Sequence, residues 1–141
     1  MEEIRIREQL RAKGFRITGS RLKLLELLYE ARKPLSIQKI LELWRGHLPN
    51  QTTLYRTLTD LAAAGIVRRA DLNTGTAHFE YTHDHPHHHH IVCTNCDTIE
   101  DVEHCSIDTI QKQLIRDSKH FKKVYSHTLE FFGRCESCLK A

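Results

Sequence analysis

The chain has 141 residues, with 21 Lys and Arg against 18 Asp and Glu for a net charge of +3, and 11 His. Its 40% apolar and 28% charged residues suit one globular domain or two small ones and exclude disordered, collagen-like and fibrous chains. No apolar run approaches the roughly 18 residues of a membrane span and the opening MEEIRIREQL lacks a signal-peptide core, so a cytoplasmic protein with no membrane partner is expected.

Glu2 to Lys13 reads as a helix stopped by Gly14, and Thr18 is placed to cap a second helix. Leu22, Leu25 and Leu28, with Leu24 and Leu27, give that second helix an apolar face, and Pro34 ends the stretch. Ser36 caps a third through Ile37, Ile40, Leu41 and Trp44. Asn50 is the natural cap of a fourth, in which Leu54, Leu58 and Leu61 share an inward face while Thr52, Tyr55, Arg56 and Thr59 point elsewhere. Gly65 closes it. Ile66 to Leu72 and Thr76 to Tyr81 flank the turn signal Asn73-Thr74-Gly75, which predicts a β-hairpin. Helices followed by a hairpin make a winged helix-turn-helix, here over residues 1–81. The segment THDHPHHHH has little apolar content and a Pro, and residues 82–86 are the expected hinge. In residues 87–141, Ile91 to Cys93 and Thr98 to Val102 look like strands, Ser106 caps a helix through Ile107, Ile110, Leu114 and Ile115, and Val124 to Phe132 reads as a strand. A unit of about 55 residues has a marginal core and leans on a metal or a partner subunit.

The charges divide along the same line. Residues 1–80 carry 14 basic and 9 acidic side chains, residues 81–141 carry 7 and 9, and nine of the 11 His lie in the second part. This pattern fits an anion-binding module joined to a metal-binding one.

Cys93-x2-Cys96 and Cys135-x2-Cys138 are paired knuckles whose four thiolates can close a tetrahedral zinc shell. Unrelated buried or redox cysteines are the weaker reading, because so small a domain gains folding free energy from such a site. Cys105, left over, reads as a small buried hydrophobe or an idle thiol rather than a ligand. In His87-His88-His89-His90, extended backbone would send His87 and His89 to one side and His88 and His90 to the other, so one strand could serve two metal sites. A flexible surface His tract is the rival reading. It is weakened by the adjoining Cys93 and by carboxylates at Glu80, Asp101, Glu103 and Asp108. His127, taken alone, reads as a satisfied core histidine. Thr52, Thr53, Tyr55 and Arg56 sit at the start of the fourth helix, the end that enters the major groove in helix-turn-helix proteins. Arg16, Arg21, Lys23, Arg68 and Arg69 could add backbone contacts, each otherwise a solvated charge.

Together these residues resemble the ferric uptake regulator family of bacterial metal-dependent repressors along nearly the whole chain. The matching stretches are Arg16-Ile17-Thr18 with Arg21, Thr53-Leu54-Tyr55-Arg56-Thr57-Leu58 ahead of Ala64-Gly65-Ile66-Val67, Phe79-Glu80, His87 to Cys93 with Cys96, and Gly133-Arg134-Cys135 with Cys138. The resemblance implies an α+β protein: an N-terminal winged helix-turn-helix domain followed by a small α/β dimerisation domain with a four-cysteine zinc site. It implies a homodimer whose metal-loaded form binds operator double-stranded DNA and represses uptake or stress genes, with no small organic substrate. Cys93, Cys96, Cys135 and Cys138 correspond to structural Zn2+ ligands; Glu80, His88, His90 and Asp101 to the regulatory site; His87, His89, Asp108 and His127 to a third site; and Arg16, Thr52, Thr53, Tyr55 and Arg56 to the DNA contacts. The second divalent metal stays open between Zn2+, Fe2+ and Mn2+. Family members often supply a regulatory His ahead of the third helix, where this chain has Lys33-Pro34, which leaves His78 and His83 as candidate replacements.

Rival readings are a peroxide-sensing repressor that uses iron-catalysed His oxidation, a metal buffer, and a zinc hydrolase. The last would need an open metal position beside a general base, and the chain contains no H-E-x-x-H. A protein that is not an enzyme is expected.

Overall fold

The computed structural model describes residues 2–82, 88–103 and 106–140. The chain divides into two units, Met1–Asp84 and His85–Ala141. Of the expected hinge, residues 83–86 lie outside the described residues, as do His87 and Cys105. No helix among the described residues is long and apolar enough to cross a membrane.

The first unit runs α1 (Glu2–Ala12), α2 (Gly19–Ala31), β1 (Leu35–Ser36), α3 (Ile37–Leu43), α4 (Gln51–Ala63), β2 (Val67–Ala70) and β3 (His78–Tyr81). Its helices begin where their side chains can satisfy exposed backbone N–H groups. Thr18 Oγ1 accepts from Arg21 N at 3.3 Å, Ser36 Oγ from Lys39 N at 3.1 Å, and Asn50 Oδ1 from Thr52 N at 2.8 Å. After α4 the backbone turns through Gly65 at φ 76°, and Ile66 N returns to Leu61 O at 2.9 Å. Leu54, Leu58 and Leu61 then face a core that includes Ile6, Leu10, Leu25, Leu28, Ile40 and Phe79.

The hairpin is shorter than its sequence pattern. Asn73 and Gly75 both adopt positive φ, and the Asp71 carboxylate accepts from Asn73 N at 3.3 Å, so pairing stops at Ala70 and His78. Strand β3 lies between β2 and the two-residue β1, antiparallel to both. Such a short strand has no periodicity to read. Along β3, Phe79 and Tyr81 belong to the core cluster, and alternation puts His78 and Glu80 on the opposite face.

The second unit contains β4 (His89–Cys93), β5 (Ile99–Val102), α5 (Ile107–Asp117), β6 (Glu130–Gly133) and α6 (Glu136–Lys140). Strand β4 is central, antiparallel to β5 and parallel to β6. Two local expectations are corrected. Ser106 precedes α5 but its side chain makes no cap hydrogen bond. The strand expected over Val124 to Phe132 is confined to Glu130–Gly133, because β4 pairs with those four residues and no described strand pairs with 124–129. Ile110, Leu114, Phe131 and Phe132 remain exposed in the single chain.

Replacing Asn50 by Ala is expected to destabilise the first unit by about 1 kcal/mol through loss of the cap, whereas Ser106→Ala costs little. Urea unfolding followed through Trp44, the one tryptophan, reads the first change, and circular dichroism reads the second.

Candidate metal centres and nucleic-acid interface

The register of the second sheet builds a thiolate cluster. Cys93 ends β4 opposite Gly133 of β6, so the turn after each strand delivers its Cys-x2-Cys pair to the same end. Asp97, at φ 58°, completes the first turn and its N–H donates to Cys93 O at 3.0 Å; in the second, Cys138 N donates to Cys135 O at 3.1 Å. The four Sγ atoms all lie within 4.8 Å of one another, and Cys96 Sγ is 3.7 Å from Cys135 Sγ. Zinc–sulfur bonds of about 2.3 Å in a tetrahedron set neighbouring sulfurs about 3.8 Å apart. The donor set and spacing therefore fit zinc.

The polar surroundings fit as well. Cys135 N donates to Cys93 Sγ at 3.4 Å, and backbone N–H groups of Cys135, Asn95 and Cys96 hold the Cys93 thiol down to about 6. Thr98 lowers Cys96 through side-chain and backbone hydrogen bonds. Cys138 behaves oppositely. Asn95 Nδ2 donates to its sulfur at 3.2 Å and favours the thiolate, but the Cys135 and Cys96 sulfurs, together with desolvation, push it up to about 11. Closely packed sulfurs cannot all ionise together without a cation. Binding of a divalent cation therefore displaces thiol protons from the cluster.

Upstream along β4, the imidazoles alternate. The His88 and His90 rings are 5.2 Å apart at their centroids, while His89 approaches His127 at 5.5 Å. His90 is fully buried, with Nε2 3.6 Å from Asp101 Oδ1 on β5. His89 Nδ1 lies 3.0 Å from Leu129 O; a carbonyl only accepts, so Nδ1 carries the proton. The structure thus groups His88, His90 and Asp101, and separately His89 and His127. Asp108, exposed on α5, joins no three-donor group among the described residues. Sequence reading missed two neighbours: Gln111, whose Nε2 is 3.2 Å from His127 Nδ1, and Glu130, whose Oε2 is 3.1 Å from His90 Nδ1. Glu130 is placed by strand register and Gln111 by the packing of α5, neither of which a lone sequence displays.

In the first unit, buried Glu80 accepts from Arg68 Nε at 2.8 Å and from Arg68 Nη2. Arg68, expected as a possible DNA-backbone contact, is also this carboxylate's counter-charge. His78, a candidate replacement ligand, is buried with Nδ1 3.1 Å from Thr76 O; His83 lies outside the described residues. Arg16, Thr52, Thr53, Tyr55 and Arg56 are all exposed. Tyr55 is braced by the wing: Arg69 Nη1 donates to its hydroxyl at 3.2 Å, and its ring meets Phe79 edge-on. A mostly apolar cleft of about 240 Å³ lies between the starts of α2 and α4, where Leu24, Trp44, Pro49 and Leu54 meet Arg21 and Thr53.

Residues 12–132 match the profile of the ferric uptake regulator family. The chain belongs to that family. It is 34% identical over 134 residues to the ferric uptake regulation protein of Legionella pneumophila, covering 93% of this chain and 96% of that one. Its fold is similar to that of the Vibrio cholerae ferric uptake regulator, with a TM-score of 0.77 at 29% identity, covering 91% of this chain and 98% of that one. A structure of the Francisella tularensis ferric uptake regulator with iron gives 0.76 at 27% identity, covering 89% and 96%. The ferric uptake regulator family comprises metal-dependent transcription regulators, so the winged helix and the thiolate and imidazole clusters have a common context.

Cys135→Ser is expected to abolish stoichiometric zinc, read by elemental analysis, and to unfold the second unit while Trp44 fluorescence of the first persists. Retained zinc would place the ion elsewhere.

Proposed function

We propose that this chain is a homodimeric repressor of metal-uptake or stress genes that binds operator double-stranded DNA when a divalent metal occupies its regulatory site. The observation that carries this reading is the outward face of α4, where Thr52, Thr53, Tyr55 and Arg56 stand exposed in a member of a metal-dependent regulator family. In the working form, Thr52, Thr53, Tyr55 and Arg56 meet base edges and phosphates in the major groove, and Arg16 adds a backbone contact.

Residues 1–81 act as the DNA-binding domain, 82–86 as the hinge and 87–141 as the dimerisation and metal-binding domain. Cys93, Cys96, Cys135 and Cys138 hold structural zinc and keep β4 beside β6. Glu80, His88, His90 and Asp101 form the regulatory set, and His87, His89, Asp108 and His127 form a third. The bound ion supplies a positive centre that lets these carboxylates and imidazoles converge. Only seven residues separate Glu80 from His88, so ligation of both shortens the range of poses the hinge can sample. A dimer binds half-sites at fixed spacing, so restricting the hinge removes part of the ordering cost of DNA binding, with a coupling of about 1–3 kcal/mol. Exposed Ile110 and Leu114 on α5, with exposed Phe131 and Phe132 on the two sides of β6, leave apolar surface for a second copy. Imidazole and carboxylate donors accept zinc, iron or manganese, and the iron in the Francisella tularensis relative supports iron as one candidate.

A DNA shift assay with Zn2+, Fe2+ and Mn2+ at fixed salt tests the proposal, because phosphate-driven affinity varies steeply with ionic strength. Metal is expected to tighten operator binding about 5- to 150-fold, and His88→Ala to lose that dependence. Metal uptake without sequence-specific DNA affinity would identify a metal buffer instead. Tyr55→Ala and Arg56→Ala are each expected to weaken operator binding by about 1–3 kcal/mol while metal content and dimerisation stay unchanged. Undiminished binding in both would move the recognition surface away from α4.

A further inference from the structure

His90 is flanked by a carboxylate on each side, and the sheet register dictates both. It pairs with Asp101 across the antiparallel β4–β5 ladder and with Glu130 across the parallel β4–β6 ladder. The two carboxylates address different ring nitrogens: Glu130 Oε2 is 3.1 Å from Nδ1, and Asp101 Oδ1 is 3.6 Å from Nε2.

Distance separates the two relationships. The Glu130 contact has the length of a direct N–H···O hydrogen bond. The Asp101 separation exceeds that length, and compares with the edge of roughly 3.0–3.4 Å between two donors sharing one divalent ion at about 2.1 Å. An ionised carboxylate only accepts, so the Nδ1 facing Glu130 carries the ring proton. The Nε2 lone pair then points to the Asp101 side. Because His90 is 0% exposed, solvent does not take over this orienting role.

We propose that Glu130 is a positioning residue for the regulatory metal, acting through His90 by fixing its tautomer and ring orientation. The inference rests on the reading of His90 as a regulatory ligand. A carboxylate behind a ligating imidazole raises its basicity and holds its lone pair on target, and loss of such a partner costs about 10- to 100-fold in metal affinity. Glu130 comes 40 residues after His90 in sequence and only β-pairing makes it a neighbour.

The test uses full-length, zinc-loaded protein with no other metal, and cobalt(II) as the probe. Nitrogen-15 NMR of the His90 ring is expected to show the proton on Nδ1; a proton on Nε2 in the parent protein would overturn the proposal without any variant. In visible-absorption titrations, Glu130→Leu is expected to weaken the cobalt binding that depends on His90 by about 10- to 100-fold. Glu130→Gln, which keeps an accepting carbonyl, is expected to restore most of it. Full affinity in Glu130→Leu, alongside loss in His90→Ala, would reject the positioning role and leave the ligand reading intact. Equal loss in the Gln and Leu variants would also reject it, since charge or direct ligation would then be the role of Glu130. An unchanged titration in His90→Ala would overturn the ligand reading, and the inference with it. Retained zinc and helix content show that each variant is folded.

Discussion

The alternation of side chains along β4 is the constraint on which the second unit depends. Each of its five residues, His89–Cys93, is paired with a neighbouring strand and His90, Ile91 and Val92 with both, so the backbone cannot rotate one ring without breaking a ladder. The pleat sends His88 and His90 one way and His89 the other, and places Cys93 at the end where β6 also finishes. A slip of one residue would exchange the two sets of imidazoles and separate the cysteine knuckles. The thiolate cluster secures the same register from its far end, because a Cys-x2-Cys turn leaves each neighbouring strand there.

The first unit is organised differently. Its core is a set of leucines and isoleucines on helix faces closed by Phe79 and Tyr81 from the wing, which needs no metal. The inner face of α4 is held by Leu54, Leu58 and Leu61, so its outer face is free of packing duties. Tyr55 is the exception: its hydroxyl accepts from Arg69 and its ring leans on Phe79. The aromatic most suited to a base edge is thereby held by the wing as well as by its own helix.

Helix boundaries were legible because their causes are local. Thr18, Ser36 and Asn50 bond N–H groups two or three residues ahead, and the apolar spacing of α4 maps directly onto burial. The paired cysteines were legible for a similar reason, since tight turns bring residues three apart onto one ion. What escaped reading depends on pairing between distant segments. Ser106 has the right chemistry for a cap but not the bond. Val124 to Phe132 has strand composition, yet only its last part finds a neighbour. Glu130 beside His90 and Arg68 beside Glu80 are products of register, separated by 40 and 12 positions. In both cases the carboxylate's partner is invisible to any short window.

The parallel pairing of β4 with β6 has a consequence for biosynthesis. Cys93 and Cys96 leave the ribosome about 40 residues ahead of Cys135 and Cys138, so the nascent polypeptide holds half a zinc knuckle through most of the second unit's translation. During that interval the two thiols are open to oxidation or to capture by stray soft metals. Maturation of this unit therefore waits for the second cysteine pair, and is governed by how quickly that turn arrives and how well the early cysteines are kept reduced.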